Sequence, residues 1–450
     1  MGKELFGTDG VRGVPGEPPL DDRTLYAIGR ALAGHLRASD ATPRVLIGMD
    51  TRESGPQIAL RLAEGLMDGG ALPFSAGVIT TPGVACLVRQ NQFSAGLVVS
   101  ASHNPYTDNG VKLIARTGMK FPDETEADIE QAIFAGRDTW ENSARAFGIG
   151  LEPNPEFDQG YIEYLRSRVM IGASLGGMKI VLDCANGAAS ELGPALFRSL
   201  GANVVAIHNS PNGRNINDGC GSLHPEALQK KVVDTGAPLG AAFDGDADRA
   251  IFVSASGRIV NGDGTLLAMA RHMRATNTMK GSGVIGTTMA NLGLEKALAR
   301  DNLTLTRTPV GDRYVLEEML RSGANIGGEQ SGHIIFLDDS TTGDGLLTAL
   351  KMACLVALRG PLDALVADLK VFPQTIVNVR VRSKPPLETL PEVSAALAEA
   401  ERALAGNGRV NLRYSGTEPL ARVMVEAERE EDVTRWSQAL ASAVRATLGA

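Results

Sequence analysis

Three aspartates alternate with small residues between two short apolar runs of the sequence: Asp244, Asp246 and Asp248. The apolar runs, Leu239–Phe243 and Ala250–Val253, are predicted to be buried strands. If the segment between them is extended, every second side chain points to the same side, and the three carboxylates converge. Converging carboxylates repel one another unless a cation lies between them, and their oxygens suit Mg²⁺ or Ca²⁺. The sequence therefore predicts a metal site here, against the alternative of a solvated acidic turn.

A serine lies at a sharp turn after another apolar run. The run Leu97–Val99 is predicted to be a strand, and Ser102 and His103 follow it, with Lys112 a few residues further on. A serine hydroxyl beside such groups can be a nucleophile or carry a phosphoryl group. An ordinary turn explains the same residues equally well. The G-x-S-x-G match around Ser174 is followed, not preceded, by a predicted strand, so we interpret it as a loop.

Two glycine-containing loops carry polar groups that could hold a sugar and a phosphate. In the loop 327–333, Glu329 and Ser331 could form hydrogen bonds with vicinal hydroxyls, although a plain hairpin fits these residues as well. The loop 413–419 offers a guanidinium, two hydroxyls and backbone N–H groups, which together suit a phosphate dianion. Its side chains for this purpose are Arg413, Ser415 and Thr417.

Two arginines near the start of the chain have two interpretations. Arg12 follows Asp9, and Arg52 follows Asp50, each within three residues of its aspartate. The arginines could point at an anionic centre. They could equally be structural partners of the two aspartates.

Strand-like and helical runs alternate over most of the chain, and this pattern predicts βαβ units with parallel or mixed sheets. Breaks are predicted near Pro153, near 254–257 and near Pro373. After Pro373 the pattern changes to a strand, an Ala-rich helix, two strands and a final helix. This order predicts a small α+β domain with an antiparallel sheet.

Composition excludes several classes of function. The 450 residues are 43% hydrophobic and 21% charged, which is typical of a folded globular protein. The net charge of -8 and the 4% aromatic content disfavour binding to nucleic acid. No apolar run approaches the ~20 residues of a membrane span. The four cysteines lack CxxC spacing and are predicted to be reduced, which indicates a cytoplasmic protein.

Taken together, these motifs resemble those of the phosphohexomutase superfamily over nearly the whole chain. The matching motifs occur in the family's order: Thr8–Gly10, Ser102–Pro105, Asp244–Arg249, Gly328–His333 and Arg413–Pro419. The segments 6–13, 310–315 and 341–345 are typical of the branch that acts on glucosamine phosphates. The chain departs from the family pattern at Ala247, where Gly is common, and at Tyr414, where Pro or Lys is common.

The resemblance implies an α/β fold, with three α/β domains with mixed sheets plus a smaller C-terminal α+β domain around a central cleft. The implied domains are 1–153 with a phosphoserine loop, 154–254 with the metal loop, 255–370 with the sugar-recognition loop, and 371–450 with the phosphate-binding loop. The phosphate-binding loop would thus belong to a separate domain that could move.

The resemblance also implies the cofactors. Ser102 would be carried as a phosphoserine, and one Mg²⁺ would bind an oxygen of this phosphate together with Asp244, Asp246 and Asp248. Arg249 and Lys112 would offset the remaining negative charge, and Lys112 or His103 would move the proton. Glucosamine or glucose 1,6-bisphosphate would be the activator.

The implied reaction interconverts glucosamine 6-phosphate and glucosamine 1-phosphate through a bisphosphorylated sugar, on the route to UDP-N-acetylglucosamine. The implied substrate ligands are Arg12, Glu329, Ser331, His333, Arg413, Ser415, Gly416 and Thr417. The alternatives are a phosphomannomutase or phosphoglucomutase on the same scaffold, and an inactive regulator that binds sugar phosphates. The expected partner is a small sugar phosphate, without nucleic acid or membrane, and a homodimer is one option for assembly.

Overall fold

The computed structural model describes residues 4–7, 9–140, 151–281, 283–415 and 418–449. Its contacts divide the chain into two compact units. The first unit comprises residues 1–287 and 308–367, and the second comprises residues 288–307 and 368–450.

The first sheet of the first unit has the strand order β1-β5-β4-β2-β3. The strands are β1 Val11–Gly13, β2 Arg44–Met49, β3 Leu72–Val78, β4 Ala95–Val99 and β5 Asn109–Ala115. The helices of this part are α1 Asp22–Arg37, α2 Gly55–Asp68, α3 Thr81–Gln90 and α4 Asp123–Trp140. β2 pairs in parallel with β3 and β4, whereas β5 is antiparallel to β4 and β1. The sheet is therefore mixed, as predicted.

The second sheet repeats this plan, with the strand order β10-β9-β8-β6-β7. Its strands are β6 Lys179–Asp183, β7 Asn203–Ile207, β8 Leu239–Phe243, β9 Ala250–Ser254 and β10 Ile259–Val260. Its helices are α5 Glu156–Arg166, α6 Ala189–Ser199 and α7 Glu226–Thr235. β6 is parallel to β7 and β8, and β9 is antiparallel to β8. Every residue of β4 and of β8 is buried, which explains their unbroken apolar sequences.

The following segment supplies a hairpin to the first unit. Its strands are β11 Gly283–Thr287, β12 Thr304–Thr308, β13 Ile326–Gly328 and β14 Ile334–Phe336. Its helices are α8 Gly262–Ala275, α9 Leu292–Arg300, α10 Asp312–Ser322, α11 Gly345–Arg359 and α12 Leu362–Leu365. β13 is parallel to β11 and antiparallel to β14, so the loop 329–333 is the turn of a hairpin. The helix α9 and residues 304–307 of β12 belong to the second unit.

The second unit contains a three-stranded antiparallel sheet with the order β15-β17-β16. Its strands are β15 Gln374–Arg380, β16 Gly408–Tyr414 and β17 Leu420–Ala427, and its helices are α13 Pro391–Leu404 and α14 Glu430–Leu448. Apolar residues of both helices, among them Val393 and Leu440, share a core with strand residues such as Val423. The small C-terminal α+β fold predicted from the sequence is therefore confirmed.

The sheet order places two loops at equivalent positions. β4 is the middle strand of the first sheet, and β8 is the middle strand of the second. The serine turn follows β4, and the aspartate loop follows β8. In the described part of the chain, none of the helices has the length and apolar character needed to span a membrane.

Candidate active site

The serine turn and the aspartate loop are in direct contact at the ends of these two middle strands. The hydroxyl of Ser102 donates a hydrogen bond of 2.7 Å to Oδ2 of Asp244. The carboxyl ends of parallel strands are where open α/β sheets bind their ligands. The structure thus brings together the serine and the first of the three aspartates that the sequence proposes for chemistry.

The backbone of Ser102 has a conformation that few non-glycine residues adopt. Its φ of +53° lies in the left-handed region, which costs an L-residue about 1–2 kcal/mol. Its N–H donates to Oγ of Ser100 over 2.9 Å. Its carbonyl accepts hydrogen bonds from Arg52 at 3.2 Å and from Asn217 at 2.9 Å. Only 1% of the serine is exposed, so these contacts fix the hydroxyl against the aspartate loop.

Both arginines near the start of the chain pair with an aspartate. The side chains of Arg52 and Asp50 are fully buried and form an ion pair. Burial raises the pKa of Asp50, and the charge of Arg52 opposes this shift. Nη2 of Arg12 lies 2.5 Å from Oδ2 of Asp9, and both side chains keep some exposed surface. Arg52 is therefore a structural partner of Asp50, whereas Arg12 retains surface for a ligand.

The three aspartates converge, but the loop that carries them is not extended. One carboxylate oxygen from each of Asp244, Asp246 and Asp248 lies within 4.8 Å of the other two. The backbone turns at Ala247, where φ is +53°. The predicted convergence is confirmed, and the extended conformation expected for the loop is wrong. A left-handed residue bends the chain so that the carboxylates meet at the inside of a turn.

The charge and burial of these aspartates fit a divalent cation. Burial, followed by the charges of Asp248 and Asp246, raises the pKa of Asp244 well above its usual value. Oδ1 of Asp246 and Oδ1 of Asp248 are buried without a hydrogen-bond donor. Leaving such oxygens without a partner is costly. A cation with hard oxygen preference, such as Mg²⁺, would satisfy these oxygens and remove the repulsion.

Two cations flank the aspartate loop. Nζ of Lys112 lies 2.9 Å from Oδ2 of Asp246 and 3.2 Å from Oδ2 of Asp9, with 2% of the lysine side chain exposed. Burial alone would lower the pKa of Lys112. The charges of these two aspartates outweigh burial, so the pKa lies above its usual value. Nε of Arg249 lies 3.7 Å from Oδ1 of Asp248. Both positive charges therefore compensate carboxylates of the loop.

His103 is a second titratable group beside the serine hydroxyl, in addition to Asp244. Its Nδ1 lies 3.4 Å from Oγ of Ser102. Burial, followed by the charges of Arg249 and Arg12, lowers the pKa of His103 below its usual value. A neutral imidazole has a nitrogen lone pair that can accept a proton.

The hairpin loop 329–333 contributes polar groups of two kinds. Oε1 of Glu329 accepts a 3.2 Å hydrogen bond from the N–H of Gly311, and Oγ of Ser331 is buried without a hydrogen-bond partner. His333 is 3% exposed, and its Nδ1 lies 3.4 Å from Oδ2 of Asp248. Glu329 and Ser331 thus have acceptor or donor capacity left, while His333 contacts Asp248 of the aspartate loop.

The loop after β16 lies in the second unit; basic side chains of neighbouring segments contact it, and its one acidic residue, Glu418, pairs with Arg422. Nζ of Lys384 donates a 2.6 Å hydrogen bond to the carbonyl of Ser415, and Nη2 of Arg422 lies 3.3 Å from Oγ of the same serine. Burial, followed by the charge of Arg422, lowers the pKa of Arg413. Three cations around one turn are suited to an anion. Gly416 and Thr417, which the sequence places in the same loop, lie outside the described residues.

Three residues that the sequence did not single out hold the site together. Oγ1 of Thr81, at the start of α3, donates a 2.5 Å hydrogen bond to Oδ2 of Asp246. Nζ of Lys120 lies 2.8 Å from Oδ2 of Asp312. Asn217, which binds the serine carbonyl, is the third. None of these three carries a signal in the sequence, whereas Asp312, the partner of Lys120, falls in the segment 310–315.

The sequence matches four domain families along its length. They are described as phosphoglucomutase/phosphomannomutase alpha/beta/alpha domains I, II and III, over residues 3–140, 159–257 and 261–372, and the C-terminal domain, over residues 376–443. The four matches follow one another in the order of their numbering and span most of the chain.

Full-length relatives and solved structures agree with these matches. A phosphoglucosamine mutase of Solibacter usitatus is 51% identical over 450 residues, and one of Geobacillus kaustophilus is 46% identical over 453 residues; each alignment covers 100% of both chains. A phosphoglucomutase/phosphomannomutase family protein of Burkholderia thailandensis has a TM-score of 0.78 at 24% identity, with 99% of each chain covered. An N-acetylphosphoglucosamine mutase of Aspergillus fumigatus, solved with GlcNAc-6P and magnesium, has a TM-score of 0.67 at 20% identity, with 98% of this chain and 95% of that one covered. The two structures share the fold of this chain.

Proposed function

The chain belongs to the phosphoglucosamine mutase family, a branch of the phosphoglucomutase/phosphomannomutase superfamily, and we propose that it interconverts glucosamine 6-phosphate and glucosamine 1-phosphate. The observation that carries this proposal is the contact between the Ser102 hydroxyl and Asp244. It puts a phosphoryl acceptor at the edge of a buried acidic cluster that fits Mg²⁺.

The cofactor part of the proposal concerns Ser102 and the three aspartates. Asp244, Asp246 and Asp248 would hold Mg²⁺, and an oxygen of phosphorylated Ser102 would complete the set. The bound cation would supply positive charge to the phosphoryl oxygens during transfer. A sugar bisphosphate, glucosamine or glucose 1,6-bisphosphate, would load the phosphoryl group onto the serine and so act as the activator.

Transfer would run in two steps through Ser102. In the first step the bond between phosphorus and Oγ breaks while a bond to O1 of the sugar forms, and the O1 proton passes through His103 to Oγ. The bisphosphate then turns around. In the second step the 6-phosphate returns to Oγ, and the proton passes back through His103 to O6. The 3.4 Å separation of Nδ1 and Oγ supports His103 as the proton carrier.

Lys112 would have an electrostatic role in this reaction. Its Nζ is shared by Asp246 and Asp9, and its raised pKa keeps it protonated at neutral pH. A lysine in this state compensates charge and is a poor proton acceptor. Arg249, beside Asp248, would share the compensation.

Two loops would recognise the substrate. Arg12, Glu329 and Ser331 would contact the sugar, and the buried, unpartnered Oγ of Ser331 supports this assignment. His333 would act through its contact with Asp248. The loop of the second unit would bind the phosphate that does not react, through Arg413, Ser415, Gly416 and Thr417. The domain bounds, the homodimer and the cytoplasmic location stay predictions.

The experiment for this proposal is a substrate comparison with Mg²⁺ and a sugar bisphosphate present. We expect the highest kcat/KM with glucosamine phosphates. A higher kcat/KM with mannose or glucose phosphates would instead support the alternative activity, that of a phosphomannomutase or phosphoglucomutase. Ser102→Ala should abolish turnover. The matched control is Ser174→Ala, in the exposed loop before β6, which should keep full activity.

Intact-mass measurement separates the enzyme from a regulator that only binds sugar phosphates. After incubation with the bisphosphate, the wild-type chain should carry the mass of one added phosphoryl group, and Ser102→Ala should not. An unmodified wild-type chain together with bound sugar phosphate would favour the regulator.

A further inference from the structure

A second group of potential metal ligands lies at the end of β6, outside the site described above. Asp183 is the last residue of β6, His208 follows β7, and Cys220 comes at the end of the segment 208–220. Nδ1 of His208 lies 3.0 Å from Oδ2 of Asp183. One carboxylate oxygen, one imidazole nitrogen and the thiol sulfur lie within 4.8 Å of one another.

These three side chains differ in kind from the aspartates at the end of β8. Mg²⁺ prefers oxygen ligands alone. A carboxylate, an imidazole and a thiolate are ligands of Zn²⁺, which takes all three in tetrahedral sites. We propose that Asp183, His208 and Cys220 form a binding site for a Zn²⁺-like transition-metal ion, with solvent as the fourth ligand.

The burial of the group is suited to such an ion. The side chain of Asp183 is fully buried, and Cys220 is 1% exposed. The side chain of His208 is 32% exposed and gives the ion a path from solvent. Binding replaces the thiol proton, which leaves to solvent, by a bond between sulfur and the metal. The cation then neutralises two negative ligands that would otherwise be buried side by side.

Nucleophilic or redox chemistry of Cys220 fits the surroundings less well. Both need a thiolate, which cysteines obtain beside positive charges or at helix N-termini. The charged groups that act on Cys220 are anions, Asp183 and Asp218. Burial, followed by these two charges, raises the pKa of the thiol to about 12. A metal ion supplies the positive charge that the protein surroundings lack.

The position of the group couples it to the serine turn. The segment 208–220 begins at one proposed ligand and ends at another. Within it, the side chain of Asn217 donates to the carbonyl of Ser102, and the carbonyl of Gly213 accepts from the N–H of Glu53 over 2.9 Å. A metal ion would tie both ends of this segment to β6. It would thereby restrict the segment that holds the serine in place.

The test uses the full-length chain in Mg²⁺-containing buffer, with Co²⁺ as the spectroscopic probe and Zn²⁺ as the competitor. Cobalt bound to a thiolate has a charge-transfer absorption that the aspartates at the end of β8 cannot produce, because they offer no sulfur. We expect this absorption to saturate at one Co²⁺ per chain and to disappear when Zn²⁺ is added. Cys220→Ala should abolish it.

The matched control is Cys86→Ala, a cysteine of α3 outside the group, which should keep the absorption. If Cys220→Ala does not fold, His208→Gln provides a second route, because its side chain is partly exposed. This variant should weaken Zn²⁺ binding by at least about tenfold. Hydrogen exchange of the segment 208–220 should slow on addition of Zn²⁺ in the wild type. Absence of the thiolate absorption in the wild type, or its survival in Cys220→Ala, would overturn the proposal.

Discussion

Replacing Arg52 by Met tests how the buried ion pair beneath the serine turn contributes to stability. Arg52 is buried with Asp50, and its second amino group, Nη2, donates to the carbonyls of Ser102 and Asn104. The methionine would fill much of the space but leave the carboxylate of Asp50 without its cation. Removing one partner of a buried ion pair costs about 3–5 kcal/mol. The free energy of unfolding should fall by this amount near pH 7.

The loss should depend on pH, with a sign that follows from the pKa of Asp50. Burial already raises this pKa, and Arg52 opposes the shift, so removing Arg52 raises it further. A carboxyl with a higher pKa in the folded than in the unfolded state binds more protons when folded. Stability is then retained at low pH and lost as the pH rises through the folded-state pKa. Arg52→Met should thus be more destabilised at about pH 8 than at about pH 4, close to the ordinary pKa of an aspartate, where the buried carboxyl is protonated.

The assay is urea unfolding followed by circular dichroism at both pH values, with two further variants. Arg52→Met combined with Asp50→Asn should recover part of the stability and lose the pH dependence, because the amide carries no charge. Arg214→Met, which removes an exposed pair with Glu53, should change the stability much less, because exposed ion pairs contribute little. The reasoning is refuted if Arg52→Met and Arg214→Met lose similar stability, or if the double variant is as unstable as Arg52→Met alone.

Three further changes concern the active site. Ala247→Gly should change the unfolding free energy by less than about 1 kcal/mol, because relief of the left-handed backbone opposes the greater flexibility of glycine; a larger loss in thermal unfolding would contradict this. Asn217→Gly should lower kcat by about 10- to 100-fold with little change in KM, since the carbonyl of Ser102 loses a donor while glycine still adopts the positive φ of Asn217; unchanged kcat would show that the contact is dispensable. Lys112→Met should lower turnover and tighten Mg²⁺ binding, because Asp246 loses a competing cation; weaker Mg²⁺ binding in a calorimetric titration would exclude this role.

The sequence predicted the alternation of strands and helices because each element has its own local periodicity. It also predicted that Asp244, Asp246 and Asp248 meet, which is confirmed. It assigned this to an extended backbone, whereas the chain turns at Ala247. Alanine rarely adopts a positive φ, so no local rule indicates the turn.

Other features depend on contacts between distant parts of the chain. The sequence left Arg52 with two interpretations, and only its complete burial with Asp50 decides between them. Asn217 touches the serine turn from 115 positions away, and a single asparagine in a loop has no periodic signature. The role of such residues can be recognised only when the positions of both sheets in the folded chain are known.

The hydrogen bonds to the carbonyl oxygen of Ser102 determine whether the serine or the sugar moves between the two transfer steps of the proposed reaction. Two donors bind this oxygen, Arg52 from the chain after β2 and Asn217 from the segment after β7. One belongs to the first sheet and the other to the second, so moving the serine would break its links to both. The serine is therefore held in place by both sheets. If it reacts with both ends of the sugar, the sugar must turn around while the serine stays where it is. The rate of this rotation can then change without any change at the serine.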